Sequence, residues 1–353
     1  MAFKFPWSRR VSNDRLVVSW SGQTLAYVLA RQTTEGLHEV LQLGVAHQGS
    51  ESLTDFFHQL QGLGLKGLDA HIMLWPEQYQ MLQIDAPAVP PEELRLAARY
   101  QIREMLDSHV DEVTLDVMRV GDGQQQGVGY LFVVAATNAV VRGILDLSDA
   151  LHWTVPVIDI QETAQRNLQN ALAARDGYTH RAHAALVLQE GHQAVLTICA
   201  NDELFYTRRF ELPARFLAAP WEHGPELHVN QPDTFTPVGE YVPDYTYALP
   251  VSLLATATVS EDDAKAQHFV LEVQRSLDVW SRSWSSMPLF NLRVYAGERT
   301  DELAKWLAVQ LGQTVLPLDV AAMFPGFEAA SLSDQSQCLP LLGVLLRTEV
   351  RKL

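Results

Sequence analysis

The sequence predicts an α/β fold made of two similar lobes, and three observations lead to this prediction. The chain has 353 residues, which is more than one hydrophobic core usually holds. Residues 15–30 and 37–45 read as a strand, a tight turn and two further strands, and residues 184–209 repeat that order. The remaining stretches alternate between helical and strand periodicity, which is typical of layered α/β proteins.

Composition narrows the class of protein. The chain is 47% hydrophobic and 19% charged, which indicates an ordinary globular protein, and its formal charge of −16 argues against nucleic acid and favours basic partners. Cys199 and Cys338 form neither a disulfide framework nor a zinc signature, which suits a reducing cytoplasm. We expect no signal peptide and no membrane-spanning helix, since no apolar run approaches the roughly 18 residues required. His180 and His183 have metal-like spacing without a third ligand, so we predict no metal site.

The first lobe is predicted to span residues 11–180. Its hairpin, residues 15–30, turns at Ser21-Gly22-Gln23. A strand at 37–45, a helix at 53–61 and strands at 70–75 and 79–84 follow. A unit at about 87–155 is predicted to be inserted into this lobe. It comprises a helix over 92–106, a strand at 113–117, a Gln/Gly-rich turn at 121–129, a strand at 130–137 and a helix capped by Asn138. A strand at 155–160 and a helix at 163–174 complete the lobe.

The helix over 92–106 is the best-defined element of the inserted unit. Pro90 and Pro91 suit a first turn, and Glu92 and Glu93 complement the helix dipole. Its apolar side chains fall on one face at 3.6-residue spacing, which predicts that this face is buried. These side chains are Leu94, Ala97, Ala98, Ile102, Met105 and Leu106.

The second lobe is predicted to span residues 181–353. Strands at 184–188, 195–199 and 204–209 open it. Residues 211–250 hold seven prolines and six acids, which predicts an extended acidic surface excursion. A long helix at 259–285 follows, with Ser260 and Asp263 resembling a capping box. A strand at 292–295, a helix at 300–311, a strand at 313–316 and a helix at 339–347 end the lobe.

Two segments carry a resemblance to a known family. PPEELRLAARYQIREML with the following DEVTLDV, and LEVQRSLDVW at 271–280, resemble segments of the PilM family of type IV pilus assembly proteins. Within that family, the chain resembles the member found in mannose-sensitive haemagglutinin (MSHA) pilus systems. The resemblance implies an actin-like fold of two ribonuclease-H-like lobes, with the subdomain that PilM and FtsA insert into the first lobe.

The resemblance also places a nucleotide site between the lobes. Its two phosphate hairpins, its adenosine turn and a Glu–Arg pair on the long helix map onto this sequence. The matching candidate residues are Ser19, Ser21, Gly22, Gln23, Gly191, Glu272, Arg275 and Gly297.

Four positions depart from the family's nucleotide-binding pattern. Ser19 and Leu188 stand where PilM has its two hairpin aspartates, Ala26 stands in place of a lysine, and Glu298 stands in place of a glycine. A carboxylate facing a triphosphate is repulsive. We therefore expect no ATP hydrolysis and no bound cofactor, with a nucleotide-binding ATPase switch as the alternative.

As a function, the resemblance implies a cytoplasmic scaffold peripheral to the inner membrane. PilM-like proteins bind the N-terminal cytoplasmic peptide of a PilN-like bitopic inner-membrane protein and link it to the pilus motor ATPase or platform protein. Tyr100 and Arg103, of residue types enriched in binding hot spots, are the candidate partner-binding residues. A further alternative is the cytoplasmic domain of a type II secretion component.

Overall fold

The computed structural model describes residues 14–120, 129–221 and 261–348. Most of the Pro-rich stretch, nearly all of the Gln/Gly-rich turn and the Ser260 cap lie outside these ranges. The strands are β1 (Asp14–Trp20), β2 (Thr24–Gln32), β3 (His38–His47), β4 (Ala70–Leu74), β5 (Tyr79–Asp85), β6 (Val113–Val120), β7 (Tyr130–Thr137), β8 (Ile158–Ile160), β9 (Ala182–Val187), β10 (Ala194–Ala200), β11 (Glu203–Phe210), β12 (Leu289–Tyr295) and β13 (Val315–Pro317). The helices are α1 (Leu53–Gly62), α2 (Leu94–Gln101), α3 (Asn138–Leu151), α4 (Gln161–Asp176), α5 (Glu261–Ser283), α6 (Thr300–Leu311) and α7 (Leu332–Leu345).

The two lobes contain sheets of the same topology. The first sheet has the order β3-β2-β1-β4-β8, and the second has the order β11-β10-β9-β12-β13. In each sheet the first three strands are antiparallel, and the last three in this spatial order are parallel. This is the ribonuclease-H-like order predicted from the sequence, and its duplication confirms the predicted fold class.

The helices and sheets stack in layers. α1 and α3 cover the outer face of the first sheet, and α5 and α6 cover the outer face of the second. α4 and α7 lie between the two sheets and share one hydrophobic core with both of them. The helices cross closely at Gly343, where an added Cβ would lie 2.0 Å from the Ala164 carbonyl oxygen. A glycine is therefore required at the centre of this interlobe layer.

A third sheet, with the order β5-β7-β6, forms the inserted subdomain. α2 packs on one face of this sheet, and Phe132 and Val120 on the other face join the core of the second lobe. The prediction placed β5 in the first lobe and α3 in the insert. In the structure β5 pairs with β7, and α3 packs against the first-lobe sheet.

Several element ends differ from the prediction for local reasons. α2 stops at Gln101, and residues 102–105 form turns, so Met105 is exposed rather than buried. Thr137, rather than Asn138, caps α3 by accepting a hydrogen bond from the Val140 N–H. α7 starts seven residues before the predicted 339, because Ser331 accepts a hydrogen bond from the Asp334 N–H and caps the helix there.

The start of the Pro-rich stretch is not a surface excursion. Phe216 and Trp221 are 4% and 3% exposed and join the second-lobe core beside Phe269 and Trp306. Arg299 covers Trp221, with its guanidinium carbon 3.9 Å from the ring centroid.

Among the described residues, no helix is long and apolar enough to cross a membrane.

Candidate functional site

The candidate site is the cleft where the carboxyl ends of β1, β4, β9 and β12 meet. Ligands of open α/β sheets bind at such strand ends. Ser19, the last but one residue of β1, is fully buried on the interlobe face, and its hydroxyl has no hydrogen-bond partner in the structure. Gly22 has φ +93°, which the tight turn requires, and Ser21 and Gln23 are exposed beside it.

The polar groups of this first turn bond mainly to the protein itself. Ser21 Oγ accepts a hydrogen bond from the Thr24 N–H at 3.3 Å. The Gln78 side-chain amide donates to the Trp20 carbonyl at 2.8 Å, and the Gln48 N–H donates to the Gln23 carbonyl at 2.8 Å. The first hairpin is therefore stabilised by its own lobe.

The second hairpin turn spans residues 188–193. The resemblance to PilM places Leu188 where the family has a hairpin aspartate, but Leu188 packs in the second-lobe core. The next residue, Gln189, is 1% exposed and donates to the Ser336 carbonyl of α7 at 2.8 Å. Because successive side chains of a strand point to opposite faces, Gln189 rather than Leu188 faces the layer between the lobes. Gly191 has φ +80° and supplies the turn itself.

The third candidate turn follows β12. Gly297 has φ +57°, and an added Cβ there would lie 2.9 Å from the Ser336 hydroxyl oxygen. The Thr300 hydroxyl accepts from the Ala296 N–H at 3.0 Å and donates to the Gly297 carbonyl at 2.7 Å. Glu298 is exposed at this turn. The positive φ of Gly297, together with the nearby Ser336 side chain of α7, favours glycine at this position.

Glu272 and Arg275 form an ion pair one helical turn apart on α5, with 2.5 Å between Arg275 Nη1 and Glu272 Oε1. Glu272 also binds Arg208 on β11. The hydrogen bond from Arg275 is the largest effect on Glu272 and lowers its pKa; burial opposes this, and the nearby Arg208 charge lowers the pKa further. These contacts fix α5 against the second-lobe sheet.

An acid from the first lobe reaches the second hairpin turn. Glu77 lies on the 3₁₀ turn Pro76–Gln78 that follows β4. Glu77 Oε1 accepts a hydrogen bond from the Gln193 backbone N–H at 2.9 Å, and Glu77 Oε2 lies 3.2 Å from His192 Nδ1. The Trp75 ring stacks on the His192 imidazole, with 4.3 Å between centroids. This contact joins the lobes directly.

A buried network lies beside this contact. Glu162, at the start of α4, is fully buried and binds the Tyr79 hydroxyl and the Arg209 guanidinium. Burial and the Glu162 charge raise the pKa of Tyr79 well above its ordinary value. Arg209 also donates to the Pro76 and Tyr79 carbonyls at 2.5 and 3.1 Å. Tyr79 belongs to β5, and Arg209 belongs to β11 of the second lobe. By binding both side chains, Glu162 ties β5, α4 and β11 together.

Glu77, Glu162 and Arg209 are not among the site residues predicted from the sequence. A usable signal was present for Glu77, because it follows a buried strand at its carboxyl end. A second signal was Gln161-Glu162, a polar pair directly after β8. Gln161 is fully buried, and neither of its amide atoms has a hydrogen-bond partner in the structure.

Among the described residues, no group of three His, Cys, Asp or Glu could hold a metal ion.

The candidate partner-binding residues lie on the inserted subdomain. Tyr100, near the end of α2, is 74% exposed, and Leu96, one turn earlier, is 59% exposed. Arg103 is exposed in the turn that follows α2. An open pocket of about 370 Å³ lies nearby between the end of α2 and β5. Its lining residues are Gln83, Ile84, Asp85, Gln101, Met105 and Tyr130.

Comparisons with known proteins agree with this architecture. A scan against protein-family models and a search of curated proteins find no match. Among solved structures, the chain is similar to PilM in the "PilM-PilN type IV pilus biogenesis complex". The TM-score is 0.66 with 15% sequence identity, over 96% of this chain and 98% of that one. It is also similar to a Bacteroides thetaiotaomicron protein with an actin-like ATPase fold, at a TM-score of 0.46 and 9% identity, over 93% and 96% of the two chains.

A shorter match is the cytoplasmic domain of EpsL, an inner-membrane component of the Vibrio cholerae type II secretion system. Its TM-score is 0.39 with 14% identity, over 60% of this chain and 79% of that one. The lobes, their strand order and the PilM comparison define the class: this is a two-lobed protein with the actin-like ATPase fold. Within that class, its fold is similar to that of PilM over nearly the whole chain.

Proposed function

We propose that this protein is a non-enzymatic assembly scaffold of a type IV pilus machine, of the MshI kind that serves MSHA pili. The observation that carries the proposal is the similarity to PilM, in complex with PilN, over 96% of the chain. The inserted subdomain binds the N-terminal cytoplasmic tail of a PilN-like bitopic inner-membrane protein. The scaffold thereby resides in the cytoplasm at the inner membrane and connects that protein to the pilus motor ATPase or platform protein.

The exposed end of α2 supports the location of the binding surface. Leu96 and Tyr100 are large side chains left uncovered on one side of a short helix, and Arg103 adds a planar hydrogen-bond donor beside them. The chain's charge of −16 favours a basic juxtamembrane tail and speeds its association. An extended tail can add to the outer edge of β5, an edge strand of the three-stranded sheet.

The cleft supports the non-enzymatic part of the proposal. Gln189 bonds to α7, and Glu77 accepts the Gln193 N–H that a phosphate would otherwise use. Ser19 offers no charge to a metal ion. In this proposal the actin-like lobes form a rigid support for the inserted subdomain rather than a nucleotide switch.

The first experiment measures capture of the partner tail. Immobilised protein captures partners from inner-membrane extract, and a synthetic tail of the bitopic protein identified there is then titrated. The double variant Tyr100→Ala with Arg103→Glu is expected to bind that tail at least about 30-fold more weakly, because hot-spot residues each contribute about 2 kcal/mol or more. Its melting curve should stay close to wild type, because both side chains are exposed.

The matched control is Val309→Ala with Lys305→Glu. These two exposed residues lie one turn apart on α6 in the other lobe and give the same change of charge with a smaller loss of apolar surface. The control should bind the tail with wild-type affinity. A folded Tyr100/Arg103 variant with unchanged affinity would move the binding surface away from α2, and capture of no bitopic protein would contradict the proposed function.

A further inference from the structure

The second hairpin turn binds a carboxylate of the protein itself, that of Glu77. The Glu77 carboxylate comes from the first lobe and accepts the Gln193 backbone N–H of the second lobe at 2.9 Å. Its other oxygen lies 3.2 Å from His192 Nδ1. Hydrogen bonds to a charged acceptor are stronger than neutral ones. The Glu77 carboxylate therefore makes a charged hydrogen bond to the backbone of the opposite lobe.

Packing covers this contact on one side and leaves the Glu77 carboxylate partly open to solvent. Trp75, two residues earlier, is 3% exposed and stacks on His192 with 19° between the ring planes. The His192 side chain is 17% exposed, and that of Glu77 is 42% exposed. The contact thus combines a charged hydrogen bond with ring stacking on its inner side.

The backbone on both sides of Glu77 is fixed from the second lobe. Arg209 on β11 donates to the carbonyls of Pro76 and Tyr79, which flank the turn. The Arg209 guanidinium stands 4.3 Å from the Tyr79 ring centroid and pairs with Glu162 at 2.8 Å. The backbone that carries Glu77 is therefore held by Arg209 of the second lobe.

We propose that Glu77 is a latch that holds the two lobes closed by occupying the anion-accepting turn of the second hairpin. The latch lies at the junction with the inserted subdomain, since β5 begins at Tyr79. It involves no bound ligand and does not depend on which partner the inserted subdomain binds. An anionic group entering this end of the cleft has to displace Glu77 from the Gln193 N–H.

Amide hydrogen exchange on the full chain tests the latch. Glu77→Ala is expected to raise the exchange rate of the Gln193 amide about tenfold or more, because the hydrogen bond to a charged acceptor is lost. Small-angle X-ray scattering should show a larger radius of gyration for Glu77→Ala than for wild type. Glu77→Gln retains a carbonyl acceptor without the charge, so its exchange rate should lie between those of wild type and Glu77→Ala.

Glu190→Gln is the matched control, since Glu190 is exposed on the same turn and the substitution makes the same change of charge. It should leave both readouts unchanged, and exchange in β2 should be the same in all variants. Wild-type exchange at Gln193 in Glu77→Ala would overturn the proposal. Equal acceleration throughout the chain would overturn it as well, because that result indicates global destabilisation rather than lobe opening.

Discussion

At the scale of single residues, the Glu77 carboxyl links stability to pH. Burial raises its pKa, but the hydrogen bonds from His192 and from the Gln193 N–H outweigh that effect, so its pKa lies below the ordinary 4.5. The folded protein then binds fewer protons than the unfolded chain between these two values. The stabilisation from Glu77 is fully present above about pH 4.5 and is lost as the pH falls through the lowered pKa.

The measurement is a series of urea melts from about pH 3 to pH 7. Wild type is expected to be more stable than Glu77→Gln near neutral pH, and the difference should shrink towards zero in acid. A difference between wild type and Glu77→Gln that stays constant with pH would show that the Glu77 charge contributes nothing.

At the scale of elements, the residue at which α2 ends determines which of the following side chains are buried. Ile102, the C-terminal cap of α2, is fully buried against the three-stranded sheet, whereas Met105 is 47% exposed. Ile102→Ala should therefore lower the free energy of unfolding by about 2–5 kcal/mol, and Met105→Ala by about 0.5 kcal/mol or less. Denaturant melts of the two variants check this, and equal losses would mean that residues 102–106 continue the helix.

Sequence periodicity located most elements because it reflects local geometry. The bounds of β7, 130–137, were predicted correctly, since its continuous apolar run is buried on both faces. The same periodicity could not assign β5 to a sheet, because alternation along a strand is identical whichever strand pairs with it. It also placed Met105 on the buried face, because the 3.6-residue pattern continues past the last helical residue.

The cleft was less predictable than the elements around it. Glu77 and His192 are 115 residues apart in the sequence. Only the packing of two lobes brings them together, and neither residue carries a motif. Ser19, Gly22 and Gly297 were chosen as candidates from the resemblance to PilM. That resemblance did not point to Gln189, because a shift of one residue along a strand moves a side chain to the opposite face.

At the scale of the whole molecule, the two lobes close on each other through protein contacts. α4 and α7 fill the layer between the sheets, and Gln165 on α4 donates to the carbonyls of Ala185 and Val195 in the second sheet. Arg347, after α7, pairs with Asp159 at the end of β8. Opening the lobes would break the buried Gln165 contacts, which are costly to leave unmade, and the more exposed Glu77 contact at the edge of the cleft.

This closed arrangement leads us to expect that ATP binds weakly if at all. A nucleotide would have to displace Glu77 and approach exposed Glu190 and Glu298, with Ser19 supplying no charge for the metal ion. Calorimetric titration of the full chain with ATP and Mg²⁺ should therefore give a Kd above about 100 µM, a binding free energy weaker than roughly −5.5 kcal/mol. Titration with Mg²⁺ alone supplies the background heat. A Kd below that limit would mean that the lobes open readily enough for the nucleotide to replace the latch, and the nucleotide switch would then become the better account of this fold.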